Sequence, residues 1–259
     1  MRKLFGKIFV SDDASIVRER DFFVLVDAGC EPKTRGDFIH LCRQTKKPIS
    51  YAFITHNHWD HTHNLSYFRK MFPKMKVIRN SRRGSEMVIQ KEESMFLGDS
   101  EYVVIPTPGH SPGGDDICIY LPDKKTVFVG DLCQPQGPSY EKTDFATPVP
   151  YFHLGEEYIN SLKKIISLKT NHIITGHGII YRKRALEVTL EVAERIRDIA
   201  KEEVRKNPFA KNSLLCKTIF ERVCWERNFH NPEQRMRDPY FRDCDIPGIM
   251  YWVRKFKKE

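Results

Sequence analysis

The chain has 259 residues, 40% of them apolar and 30% charged, and carries a formal net charge of +9. That balance, free of low-complexity tracts, describes a folded globular protein rather than a disordered or fibrous one. No run approaches the roughly 18 apolar residues of a membrane span, and the basic start Met1-Arg2-Lys3 lacks the apolar core of a secretory signal. Seven scattered cysteines without a C-x-x-C pair read as reduced thiols, which sets the expected location in the cytoplasm.

Taken in order, Lys3 to Val10 and Phe22 to Val26 are β-branched and aromatic runs that predict strands. A helix is expected over 35–46, with Phe38, Ile39 and Cys42 on one face, closed by Lys46-Lys47-Pro48 because proline disfavours helical backbone before it. The strand Ile49 to Thr55 follows. Leu65, Phe68 and Phe72 then recur at helical spacing until Pro73. Short strands are expected at 75–79 and 86–90, an ambiguous segment at 95–97, and a clear strand from Tyr102 to Ile105. Ile117–Leu121 and Thr126–Val129 form a hairpin about Pro122-Asp123-Lys124-Lys125. From Cys133 to Phe152 the chain is rich in Pro, Gly and Tyr without periodicity, the mark of a functional loop. Helices are expected at 155–168, 183–206, 213–226 and 246–257, and a strand at His172–Thr175, while Asn228 to Asp245 carries no assignable pattern.

The chemistry-bearing residues fall at strand ends. Thr55-His56-Asn57-His58-Trp59-Asp60-His61 places three imidazoles and a carboxylate within six residues, the ligand types that borderline divalent metals prefer. Alternation in extended chain sends His56 and His58 to the same side. The Pro/Gly loop 106–114 cannot continue a ladder and presents His110. Asp27, Asp131 and His177 each close a predicted strand, and a sheet delivers such loops to one edge.

The ordered set His-x-His-x-Asp-His, then His110, then Gly130-Asp131, then Gly176-His177-Gly178 resembles the metallo-β-lactamase superfamily over about residues 20–180. The resemblance implies an α/β fold, a four-layer αββα sandwich of two mixed β-sheets flanked by helices. It also implies a domain over 1–207 and a helical C-terminal extension over 208–259. It implies two divalent metal ions, zinc by preference with iron or manganese as alternatives. His56, His58 and His110 would hold one ion, Asp60, His61 and His177 the other, and Asp131 would bridge them. Asp27 would orient the His cluster as a non-ligand, and Asp60 would orient the nucleophile. The implied activity is that of a glyoxalase-II-like, dinuclear metal-dependent hydrolase, in which a metal-bridging hydroxide cleaves an ester, thioester or lactone of a small-molecule substrate. Where many members of the family carry two small residues after the last His, this chain has Thr62-His63-Asn64.

Two other activities occur in the superfamily. One is a single-strand-directed endoribonuclease, for which the C-terminal helices are the candidate RNA-binding module. Residues 179–259 hold 19 Lys and Arg against 13 Asp and Glu, and Tyr251, Trp252 and Phe256 interleave with Arg254, Lys255, Lys257 and Lys258. A terminal helix docking its aromatic face on the core explains the same pattern and is favoured. The other is an iron-dependent persulfide dioxygenase. Tyr140 and His153, in the long loop, are candidate substrate contacts. Cys133 is expected to be a buried structural thiol, and Trp59 to pack beneath the metal site. A homodimer is a plausible assembly.

Overall fold

Alternation of apolar residues builds two layers from the first half of the chain. In the strand Phe23–Val26, Phe23 and Leu25 join one core cluster, with Phe38, Ile39 and Phe68 from helices, while Val24 and Val26 join another, with Tyr102, Ile119 and Phe128. A period of two allows this only if the strand is covered on both faces. The computed structural model describes all residues except 5, 82–83, 134–148, 228, 230, 239 and 240. It divides into two compact units, Met1–Asp131 with Lys169–Lys183, and Leu132–Leu168 with Arg184–Glu259.

The first unit holds both sheets. β1 (Arg2–Leu4), β2 (Ile8–Val10), β3 (Ser15–Arg18), β4 (Phe23–Val26), β5 (Ile49–Phe53), β6 (Lys76–Arg79) and β7 (Met87–Val88) lie in that order, antiparallel up to β4 and parallel from β4 to β7. The second sheet runs β13 (Ile180–Tyr181), β12 (His172–Thr175), β11 (Thr126–Gly130), β10 (Ile117–Leu121), β9 (Ser100–Pro106) and β8 (Glu93–Leu97), with β11 and β12 parallel. The two mixed sheets flanked by helices are the expected architecture. α1 (Pro32–Thr45) and α3 (Leu65–Met71) cover one face of the first sheet, and α2 (Trp59–Thr62) links β5 to α3.

Several elements differ from the sequence reading. The expected strand from Lys3 to Val10 is broken by a turn in which Gly6 has φ +71°, a conformation natural to glycine. β3 and β13 were not expected; each is short and half polar, and exists through its ladder partner. The ambiguous 95–97 segment is part of β8, and α1 begins at Pro32, a residue suited to the first helical turn.

The second unit contains α4 (Gly155–Ile166), α5 (Arg184–Lys206), α6 (Asn212–Glu226), α7 (Pro232–Arg237) and α8 (Ile246–Phe256). Residue 207, where the main domain was expected to end, falls between α5 and α6. Val192, Ile196 and Ile199 of α5 are buried, as are Ile219, Phe220 and Val223 of α6 and Ile249, Trp252 and Val253 of α8. Trp252 fills the space beside Gly155, where an added Cβ would stand 2.6 Å from its ring. The unassigned stretch 228–245 contains α7 and a π-helical turn, and Arg235 donates to the buried Asp245 at 2.6 Å. No described helix is long and apolar enough to cross a membrane.

Candidate metal centre

Parallel pairing brings the carboxyl ends of β4 and β5 side by side, so Asp27 and the segment from Thr55 to His61 meet. The ladder continues one step past β4, where Asp27 N–H donates to the Phe53 carbonyl at 2.9 Å. The backbone then turns left-handed at Asp27 (φ +59°) and aims its side chain inward, 1% exposed. Its carboxylate accepts from Thr55 N at 2.8 Å and from Thr55 Oγ1 at 2.9 Å. It also lies 2.9 Å from His61 Nδ1. A carboxylate only accepts, so Nδ1 carries a proton, and Nε2 faces away from Asp27. In the same way Thr55 Oγ1 contacts His56 Nδ1 at 3.0 Å, which leaves His56 Nε2 facing the other imidazoles.

The facing nitrogens and carboxylates form two groups. His56, His58, His110 and Asp131 make one, and Asp60, His61, Asp131 and His177 the other; within each group the candidate ligand atoms all lie within 4.8 Å of one another. His58 Nδ1 sits 2.9 Å from His56 Nε2 and 3.2 Å from His110 Nε2. Asp131 Oδ1 is 3.3 Å from His61 Nε2, and Oδ2 is 3.2 Å from His177 Nε2 and 3.7 Å from His110 Nε2. Asp60 Oδ2 stands 3.7 Å from His61 Nε2 and 3.9 Å from His177 Nε2. All seven sequence-predicted ligand positions therefore converge, and Asp131 belongs to both groups.

The residues fit a metal ion. Among the described residues, His61 Nε2 and Asp131 Oδ1 are buried and find no partner closer than each other, at 3.3 Å, a costly arrangement for buried polar atoms. The donors are all imidazole or carboxylate, the set that zinc, iron and manganese accept. In the metal-free cluster these groups shift one another unequally. Burial and the neighbouring His61 and His110 imidazoles hold His56 well below its ordinary pKa, so it is a neutral donor. His61 is also opposed by burial, yet Asp131 and Asp27 raise it well above the ordinary value. Asp131, despite burial, is held well below the carboxylate range by His177 and His61.

Close packing fixes the rim. A Cβ on Gly176 would lie 2.1 Å from His61 Cε1, so only glycine lets the β12 turn pass this imidazole. Sequence reasoning missed three supports. Asp116 carboxylate accepts from Gly109 N at 3.2 Å and Ser111 N at 3.1 Å, pinning the backbone on both sides of His110. Asn64, buried, donates to the Ala28 and Glu31 carbonyls, and its own N–H reaches the Gly29 carbonyl, so the unusual Thr62-His63-Asn64 segment ties α2 to the Asp27 turn. Thr55 braces Asp27. None of these three is a metal-ligand type in a recognisable spacing, and only the tertiary contacts disclose them.

Other expectations resolve differently. Trp59 does not pack beneath the centre: it is 64% exposed, its ring 4.7 Å from His63, because His61 and Asn64 take the inward positions of this helical turn. Cys133 is a buried structural thiol, pushed up to about 12 by burial. His153 lies in the second unit, bonded to the Tyr151 hydroxyl at 2.9 Å. Tyr140 lies outside the described residues. Trp252 is buried, 2% exposed and stacked on Phe256, as a docked terminal helix requires.

The profile of the metallo-beta-lactamase superfamily matches residues 10–177, which takes in both donor groups. The chain belongs to this superfamily. Members of the superfamily bind metal ions, and the His/Asp cluster is the candidate place for one in this chain. Among curated superfamily relatives, the chain is 26% identical over 175 residues to an atrochrysone carboxyl ACP thioesterase of Aspergillus fumigatus, covering 65% of this chain and 51% of that protein. It is also 26% identical over 163 residues to a hydroxyacylglutathione hydrolase of Brucella ovis, covering 59% of each. The chain thus spans between half and three fifths of the length of these relatives. A metallo-beta-lactamase from Pontibacter korlensis shares the fold, with TM-score 0.57 and 18% identity over 74% of this chain and 91% of the other.

Proposed function

We propose that this protein is a dinuclear metal-dependent hydrolase that cleaves an ester, thioester or lactone bond. The observation that carries this reading is the sharing of Asp131 between two adjacent donor groups. His56, His58 and His110 would hold one ion and Asp60, His61 and His177 the other, zinc by preference. Two such ions would supply an activated water and polarise the carbonyl under attack.

The chain's own residues set the direction of the reaction. Asp27 keeps the His61 proton on Nδ1, away from the centre. Asp60, 38% exposed, is the carboxylate of its group that also faces solvent, so its Oδ2 orients the incoming water. Oxygen from that water bonds to the carbonyl carbon, the C–S or C–O bond breaks, and the proton released leaves on the thiol or alcohol. Both curated relatives described above are named for thioester chemistry, which supports the thioester as the first substrate to test.

The test pairs elemental analysis with turnover of p-nitrophenyl esters and thioesters. His58→Ala should lower metal content by about one ion per chain and reduce turnover at least a hundredfold. Unchanged metal stoichiometry would sink the ligand assignment, and oxygen consumption on a persulfide with bound iron would replace hydrolysis by oxidation. The ribonuclease reading has lost a stacking ring, since Trp252 is buried.

A further inference from the structure

An aromatic and cationic track leaves the metal centre on the outer face of α2 and α3. Trp59 stands between His58 and Asp60 in the chain, yet its indole is turned to solvent and backed by His63. Tyr67, 36% exposed, follows His63 by four residues across the junction of α2 and α3, where His63 and Asn64 both keep αR backbone. The Arg35 guanidinium of α1 covers the Tyr67 ring, 4.6 Å from its centroid. Beyond it opens a cleft of about 330 Å³ lined by Arg35, His40, Arg43 and Tyr67. Among the described residues none of these three basic groups has a carboxylate partner, so the cleft presents unneutralised donors beside stacking surfaces.

We propose that this track binds the leaving group of a thioester whose thiol ends in an adenine nucleotide phosphate, a coenzyme A-type thiol. The inference rests on the thioester reading of the metal centre. Trp59 and Tyr67 are eight residues apart, one on α2 and one on α3, roughly 12 Å for backbone that stays in the αR region. The arm of such a thiol, as long as about four extended residues, reaches roughly 14 Å. A thioester carbonyl at the metal centre therefore carries its nucleotide to the Arg35–Arg43 cleft, with the arm lying over Trp59 and His63. There the adenine ring has the Arg35–Tyr67 pair to stack on, and the phosphates have the Arg35 and Arg43 guanidiniums, whose planar forks suit phosphate oxygens.

The experiment separates the subsite from the chemistry. Adenosine 3′,5′-bisphosphate is titrated into the full chain, with and without zinc, by calorimetry. Acetyl-coenzyme A and its truncated analogue S-acetyl-N-acetylcysteamine are compared as substrates. The expected results are saturable bisphosphate binding weakened at least tenfold in Arg35→Gln and Arg43→Gln, and a kcat/KM at least tenfold higher for the full thioester. In those variants the loss appears in KM rather than kcat, while circular dichroism melts report their fold. Trp59→Ala should raise KM for acetyl-coenzyme A with metal content intact. Equal kcat/KM on both thioesters would overturn the subsite and leave the hydrolase standing. Bisphosphate binding without turnover of either thioester would support the subsite and sink the hydrolase. A short oligouridylate that binds more tightly than the bisphosphate, through the same two arginines, would overturn the proposal in favour of single-stranded nucleic acid.

Discussion

Asp27 offers the sharpest test of how the centre is held, because it lies outside both donor groups yet bonds His61. It receives Thr55 N, Thr55 Oγ1 and His61 Nδ1 at 2.8–2.9 Å, and it is buried. Asp27→Asn preserves shape but replaces one acceptor oxygen by a donor. With the amide nitrogen toward His61, the imidazole must accept at Nδ1 and carry its proton on Nε2, the nitrogen that faces Asp131. With the amide flipped, the nitrogen opposes Thr55 N–H. Either way a hydrogen bond to a charged group is lost, worth about 1.5–3 kcal/mol. Partners behind a metal-bound imidazole typically govern affinity by 10–100-fold. The expected result is a zinc affinity lowered about 10–100-fold, or about 1.4–2.8 kcal/mol, in competition with a chromophoric chelator. Urea unfolding of the metal-free protein should fall by less than 3 kcal/mol, a loss it can report separately. An affinity within twofold of the parent would refute the idea that Asp27 sets the His61 tautomer.

Three further outcomes are expected. Burial pushes the Asp116 carboxyl up to about 7 against the opposing pull of its bonds to Ser111 and Gly109 backbone N–H. The folded state therefore keeps a proton that the unfolded chain sheds near pH 4, so stability falls as pH rises from about 4 to about 7. Three pKa units correspond to at most about 4 kcal/mol. Asp116→Asn should flatten the metal-free urea-midpoint profile across that window, and a variant profile parallel to the parent's would contradict the assignment. Gly176→Ala drives a methyl into His61 and should cost about 1–3 kcal/mol of stability and lower the bound-metal ratio; full metal occupancy would show that the turn yields. Trp252→Ala empties the α8 packing position and should cost about 3–5 kcal/mol in denaturant unfolding. A cost under 1 kcal/mol would mean that α8 docks loosely.

The amino-acid sequence by itself singled out the residues that converge in the two donor groups and most of the secondary elements that carry them. His56, His58, Asp60, His61, His110, Asp131 and His177 each stand after a short, largely apolar run of strand type, and such runs are local properties of the chain. Long helices such as α5 were equally plain, because a stripe of Val192, Ile196 and Ile199 repeats at helical spacing. What stayed hidden depended on partners distant in sequence. β3 and β13 exist through their ladders, and the supports given by Asn64, Asp116 and Thr55 depend on which backbone groups the fold places opposite them. The exposure of Trp59 is the clearest case. Sequence knows it as a large apolar residue beside metal ligands, which argues for burial. Tertiary structure turns it outward, because the same helical turn must send His61 to Asp131 and Asn64 to the Asp27 loop, and one turn cannot bury all its faces.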